Sequence, residues 1–511
     1  MTGVTAVRNL RMRGSLASVL CLIWCGLGGW QPSAGAREHE HPVPEKLGAV
    51  SFQTSCSASV QKEFERAVAL LHSFAYSAAE KAFREVMARD PSCAMAHWGV
   101  AMTYFHQLWE PYLAPEDVPR GRLEIEKAKR LGGSERGRGF IEALNIIYTN
   151  ADSLPYGERA TAYTLAMGKL AERYPDDIEC QVFYALALIA TASPKDNTHA
   201  NEKKAATLLE PLFQKYPQHP GIPHYLIHAC DNSEMADRGV AAARAYSQIA
   251  PSAPHALHMP SHIYTRLGIW EDSIASNLAA RSAAHAQGDV GEELHAMDYL
   301  TYAYLQLGRD AEAAGVLRDL RAMNGLHAGE FKVGYAASAM RVRYAIERRQ
   351  WADAARLEPI SGTQPHVFAI TVWARAIGLA RSGQLGPARQ EIDGLKTAYE
   401  DVRAAGDDYW ATQVHVQLNE AIAWLAHAEG KDGDALKFIR QAADEEDAIE
   451  KRPVTPGAII PAREQLGDLL LELNRPEEAL KEFERALTMT PQRHGALMGK
   501  AHASEMIAAR N

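Results

Sequence analysis

Two widely separated stretches of the chain obey one rule. Twelve residues before Pro91 stands Ala79 and eight before it stands Phe83, and the same offsets before Pro491 hold Ala479 and Phe483. Before Pro217 they hold Ala205 and Leu209, before Pro251 they hold Gly239 and Ala243, and those two prolines are 34 residues apart. A recurring unit of this length restricts the chain severely, because one helix pair cannot bury its apolar face alone and only a stack of pairs gives a continuous core. Turn marks at Leu267-Gly268, Leu307-Gly308, Leu385-Gly386 and Gly433-Asp434 extend the pattern over most of Ser59 to Met506, and several spacings exceed 34, so the array is irregular. Helical periodicity with Ala-rich faces runs throughout and almost nothing reads as strand. The expected class is all-α, a helix–turn–helix solenoid. Glu110 to Arg120, with three prolines, and Arg452 to Pro461 read as longer loops between helices.

Composition narrows the function. Charged residues are 23% and apolar residues 47% of the 511, with 37 Gly and 25 Pro, which excludes collagen-like, disordered and multi-span membrane chains. Lys and Arg number 54 against 63 Asp and Glu, a net charge of −9, so the basic footprint of a general nucleic-acid binder is missing and no nucleic-acid partner is expected. The first 36 residues carry Arg8, Arg11 and Arg13, an apolar run from Ser15 to Trp30, then Ala34-Gly35-Ala36. That order predicts a secretory leader cleaved after Ala36, a mature protein of net charge −12, and a periplasmic or secreted location with no membrane span after removal. Leu20 before Cys21 and Trp24 before Cys25 exclude a lipoprotein signal. Four cysteines then remain. Export permits disulfides, and a bridge between Cys56 and Cys93 would close one helix pair at the start of the array, while Cys180 and Cys230 read as buried thiols.

The Ala-x-x-x-Phe pair, the closing proline and the 34-residue step resemble the tetratricopeptide repeat superfamily. The resemblance implies a right-handed superhelix with a concave groove that takes a protein or peptide partner, or a small polar ligand. Longer stretches resemble a His-rich group of exported bacterial tetratricopeptide proteins: Cys93-Ala-Met-Ala-His-Trp-Gly-Val-Ala-Met102, His219-Pro-Gly-Ile-Pro-His-Tyr-Leu-Ile-His228, His255-Ala-Leu-His-Met-Pro-Ser-His262 and Thr455-Pro-Gly-Ala-Ile-Ile-Pro-Ala-Arg-Glu464. This second likeness implies fold and export and carries no mechanism. The chain divides into a leader (1–36), an N-terminal extension (37–58), N-terminal repeats (59–217), central His-rich repeats (218–310) and C-terminal repeats (311–511).

Eight of the 20 histidines lie between His219 and His295. Registered by Pro217 and Pro251, two consecutive units place His224 and His258 seven residues on, His228 and His262 eleven on, and Asp231 and Thr265 fourteen on, with His255 four beyond Pro251. Carrying the frame forty residues, from Leu267-Gly268 to Leu307-Gly308, adds His295, Asp298 and Tyr302. Spacings of three and four keep such offsets on one helix face. His224, His228, Asp231, His255, His258, His262, His295 and Asp298 are therefore the candidate ligands of a transition metal, Cu, Zn or Fe, because imidazoles four apart can close on one ion. The same groups could serve as acid and base, recognise a polar ligand, or simply bond across helices. Pro260 must kink or start a helix, which bears directly on whether His255 and His258 converge with His262.

Cleavage after Ala36 would also expose Arg37-Glu38-His39, a terminus able to wrap Cu(II) or Ni(II), or else a solvated tail. Trp98, Met102 and Phe105 share a helix face as core or groove lining. No phosphate loop of useful form, Cys-x-x-Cys pair, HExxH or Gly-x-Ser-x-Gly elbow occurs. Two function classes stand: a binding scaffold whose groove carries the His/Asp cluster, and a metal-dependent enzyme of oxidase or hydrolase type built on the repeat.

Overall fold

The computed structural model describes residues 45–108 and 112–510. The leader, its cleavage point and Arg37-Glu38-His39 lie outside them. From Gln61 to Ala508 the described chain is a succession of α-helices joined by turns and a few longer loops, and no strand occurs among the described residues. Each helix packs chiefly on its neighbours in sequence, as a stack of helix pairs requires.

Local chemistry sets the helix ends. The side chains of Ser134, Asp177 and Asp289 each accept a backbone N–H from the first turn of the helix they precede, at 3.1, 3.0 and 3.0 Å. At the far ends Gly268 and Gly308 take the left-handed conformation, φ 69° and 66°, which lets Ile269 N–H reach Tyr264 O and Arg309 N–H reach Tyr304 O, both at 2.8 Å. The first expected loop ends earlier than Arg120. A helix starts at Asp117, since Pro119 falls in its first turn, where the missing N–H would be unpaired anyway. The second is present: no helix interrupts residues 448–461, between Asp432–Asp447 and Ala462–Glu472.

Segment 45–57 is docked rather than free. Phe52 is fully buried against Phe64, Trp98 and Phe140, at 5.4, 5.6 and 5.2 Å between rings, and Ala49 N–H donates to Gln218 O at 2.8 Å. Cys56 and Cys93 are joined by a disulfide with 4.7 Å between Cα atoms, and Cys180 and Cys230 are free and buried. Trp98, Met102 and Phe105 are core.

The repeats do not leave the central helices open. Segment 450–461 runs against them: Lys451 Nζ donates to Asp231 at 2.7 Å, Tyr299 Oη to Thr455 O at 3.2 Å, and Arg343 to Ala458 O at 2.9 Å. Trp270 Nε1 donates to Gln492 O at 3.0 Å, so the last repeat also reaches the central ones.

Candidate metal centre

The helices Gly221–Cys230, Pro254–His258, Pro260–Leu267 and Val290–Gln306 lie side by side and carry six of the predicted histidines. His224 and His228 are one turn apart on the first, and their Nε2 atoms are 3.2 Å apart. His255 on the next helix brings its Nε2 to 3.1 Å from that of His224. His258 and His262 face each other through Nε2 at 3.0 Å, and His295 joins them from Val290–Gln306, its ring 4.2 Å from that of His258. Pro260 does break the helix, but Met259 before it keeps helical torsions, φ −52° and ψ −37°, so His258 and His262 remain one turn apart in space. The result is two triads, His224/His228/His255 and His258/His262/His295, each with its ligand atoms within 4.8 Å of one another. The triads adjoin, with the rings of His228 and His262 5.8 Å apart and those of His255 and His258 6.1 Å apart.

What lies behind each ring decides which nitrogen holds the proton. His224 Nδ1 stands 2.6 Å from the His72 carbonyl, which can only accept, so Nδ1 carries the hydrogen and Nε2 the lone pair. His262 Nδ1 faces Asp231 at 2.9 Å, and His255 Nδ1 faces Glu292 at 3.2 Å. His258 Nδ1 faces Asn277 Oδ1 at 2.7 Å, an orientation fixed because Asn277 Nδ2 donates to Ser273 O at 2.7 Å. Three neutral imidazoles, His224, His258 and His262, thus turn Nε2 lone pairs inward, and His255 turns its Nε2 to the same cluster. Both atoms of the His258–His262 contact are acceptors, so that contact is not a hydrogen bond between neutral rings, and the His224–His255 contact likewise sets Nε2 against Nε2. A proton or a metal ion between them would make it attractive.

A shared proton is opposed by the surroundings. The six rings are at most 6% exposed. Burial, reinforced by neighbouring imidazoles, holds His224, His228, His258 and His295 well below the ordinary histidine range. Burial lowers His262 too, against the pull of Asp231. Neutral imidazole is the form that binds metal. An ion with nitrogen bonds of roughly 2.0–2.1 Å in tetrahedral geometry keeps its ligands roughly 3.3 Å apart, close to the spacings already present.

Asp231 and Asp298 part company. Asp231 stands behind His262, where it also accepts from Arg266 at 2.8 Å and Lys451 at 2.7 Å; burial works against its charge, but Lys451 and Arg266 outweigh burial and hold it well below the usual carboxylate range. It orients an imidazole from behind. Asp298, on the same helix as His295, has Arg343 at 3.7 Å and joins neither triad, and burial pushes its carboxyl up to about 6.

Other members of the site have no signature in sequence: the His72 carbonyl, Glu292, Asn277, Lys451 and Phe74, whose ring lies 4.4 Å from His224. A third group, His72/Glu179/His219, is also compact. There Glu179 accepts from both Nε2 atoms at 2.9 Å, so a carboxylate satisfies the cluster from within. In the two triads the carboxylates of Glu292 and Asp231 stand behind the rings, on Nδ1, and none faces the Nε2 atoms.

Residues 460–493 match the tetratricopeptide repeat model. That tetratricopeptide segment holds Ala479, Phe483 and Pro491, residues that carried the repeat pattern. No curated protein matches the chain in sequence. Among solved structures, the human IFIT1 dimer with m7Gppp-AAAA is 10% identical, with 81% of this chain and 90% of that chain covered and a TM-score of 0.37. The tetratricopeptide-repeat domain of P58(IPK) is 12% identical over 89% and 99%, at 0.22, and Naa15/Naa10 bound to HypK-THB is 12% identical over 83% and 67%, at 0.25. At such similarity nothing bound in those complexes transfers to this chain.

Proposed function

We propose that this protein holds two transition-metal ions side by side, one in each histidine triad, on a tetratricopeptide-type helical scaffold. One observation carries the reading: His258 and His262 aim Nε2 lone pairs at each other across 3.0 Å while both Nδ1 atoms donate outward, to Asn277 and Asp231. Three protein nitrogens leave an ion at least one open position, the arrangement of a reactive rather than a purely structural site. A cavity of about 1310 Å³ bordered by His255 gives a ligand or substrate room beside the first triad, which supports a metal-dependent enzyme. Copper, zinc and iron all accept imidazole sets. We also propose that the protein is exported to the periplasm or beyond, a reading supported by the leader pattern and the paired Cys56 and Cys93.

Metal analysis tests the first proposal. The mature protein, loaded with Cu(II) or Zn(II) and gel-filtered, is expected to retain two ions per chain. His224→Ala should keep one, and the His224→Ala/His262→Ala double variant none, with the helical circular dichroism spectrum unchanged. Full retention of metal by the double variant would refute it.

A further inference from the structure

The two triads differ in what borders them. His255 lines the cavity of about 1310 Å³ and His228 a second of about 310 Å³, whereas His258, His262 and His295 line neither, nor a third of about 140 Å³. Between the first triad and the larger cavity stands Phe74. Its ring is 4.4, 5.9 and 5.5 Å from those of His224, His228 and His255, and its other side is part of the cavity wall, where Tyr76 stacks on it at 5.4 Å.

Phe74 occupies a position the backbone would give to glycine. It follows the helix Gln61–His72 with φ 54°, and the turn is closed by Phe74 N–H to Leu71 O and Ala75 N–H to Leu70 O, both at 3.0 Å. The corresponding turns after Leu267 and Leu307 use Gly268 and Gly308, and two others use the polar residues Arg349 and Asn474; an aromatic ring stands in none of these four. A bulky residue is a marked outlier in this conformation. Nothing in the turn calls for a ring, so the reason for one lies in what the ring touches, the three imidazoles of one triad.

We propose that the ion of the first triad is the one that takes an exogenous ligand, that the ligand arrives from the larger cavity, and that Phe74 is a positioning residue sealing the open coordination site from bulk water. The ion of the second triad borders none of these three cavities. With Phe74 in place the ligand is a small donor binding through one atom, of the size of a short anion, because the ring stands against all three histidines. An apolar wall at this point controls both solvent access and local dielectric.

This inference rests on the two-ion reading, and azide added to the Cu(II)-loaded protein separates the two, read by its ligand-to-copper absorption beside the copper content. The wild-type chain should carry two copper ions and bind one azide. Phe74→Gly should keep both ions and bind azide at least tenfold more tightly, at a lower thermal midpoint, because the space left by the buried ring outweighs the relief of the torsion. His295→Ala should lose one ion and keep the azide response, and His255→Ala should lose the response. Azide affinity within twofold of wild type in a fully loaded Phe74→Gly protein overturns the sealing role, and loss of copper from that variant makes the ring a mere support and overturns it too. A response lost in His295→Ala and kept in His255→Ala overturns the assignment of the reactive ion while leaving the two-ion reading intact. A wild-type chain that binds no copper overturns both.

Discussion

Gly221 is the one place where a single methyl group would press on the centre from behind. A Cβ there would stand 2.6 Å from His72 Nδ1, 2.8 Å from its Cγ and 3.1 Å from its Cε1. Ordinary contact begins near 3.4 Å, so the ring would have to retreat by roughly 0.8 Å. It has nowhere to go. His72 is fully buried, its Nδ1 is 2.9 Å from Tyr225 Oη and its Nε2 2.9 Å from Glu179. Losing one charge-assisted hydrogen bond costs roughly 1.5–3 kcal/mol, and overpacking adds roughly 1–3 kcal/mol. Alanine in a helix returns about 0.5–1 kcal/mol relative to glycine, so the losses win and Gly221→Ala should destabilise the apoprotein by about 1.5–5.5 kcal/mol. Urea unfolding followed by far-ultraviolet circular dichroism measures this. The His72 carbonyl also fixes the tautomer of His224, so the same variant should weaken the first ion about tenfold and leave the second unchanged, by equilibrium dialysis. A loss under about 0.5 kcal/mol, with both ions bound as in wild type, would refute the argument that this close approach sets the ring.

Asp231→Asn should weaken the ion of the second triad by about 10–100-fold, because it removes the charge that orients His262; a variant in which only the first ion weakens would contradict the assignment. Acid should destabilise the apoprotein specifically. His224, His228, His258 and His295 bind protons less readily folded than unfolded, so their neutral-form stability is complete above the unfolded value of about 6.5 and is lost as pH falls below it, by up to about 5 kcal/mol per pH unit for the four together; a urea midpoint that stays level from pH 7 to 5 in metal-free buffer would count against buried neutral rings. Removing the Cys56–Cys93 bridge, which spans 37 residues, should cost about 3–4 kcal/mol, read as the difference in unfolding free energy between oxidised protein and a Cys56→Ser/Cys93→Ser variant.

The histidines were legible because two periodicities coincide on them. Four-residue spacing put His224 with His228 and His258 with His262, and the 34-residue step put the pairs on adjacent helices. Asp298 shares its offset with His258 and still turns elsewhere. The second unit is broken at Pro260 whereas Val290–Gln306 is continuous, so one offset in two frames need not give one direction, and Arg343 from a later helix takes the carboxylate. The division into two triads was not legible either, since it depends on which ring nitrogen each neighbour leaves bare. Those neighbours come from far along the chain: His72 is 152 residues from His224, and Lys451 is 220 from Asp231. No local pattern encodes such contacts. Phe74 was hidden for the opposite reason, because a phenylalanine after a helix reads as ordinary core until its torsion is known.

The contact between Lys451 and Asp231 has a consequence for timing. A chain emerging from its N-terminus has all six imidazoles in place once residue 295 is made, yet the carboxylate behind His262 has Arg266 alone to steady it until residues 450 and 451 arrive, when Glu450 anchors Arg266 and Lys451 reaches Asp231. The electrostatic backing of the centre is therefore finished by a segment made more than 150 residues after the last ligand, His295. A product truncated before residue 450 would carry every proposed ligand and still hold its second ion loosely, so tight retention of metal would report that residues 450 and 451 had reached the central helices.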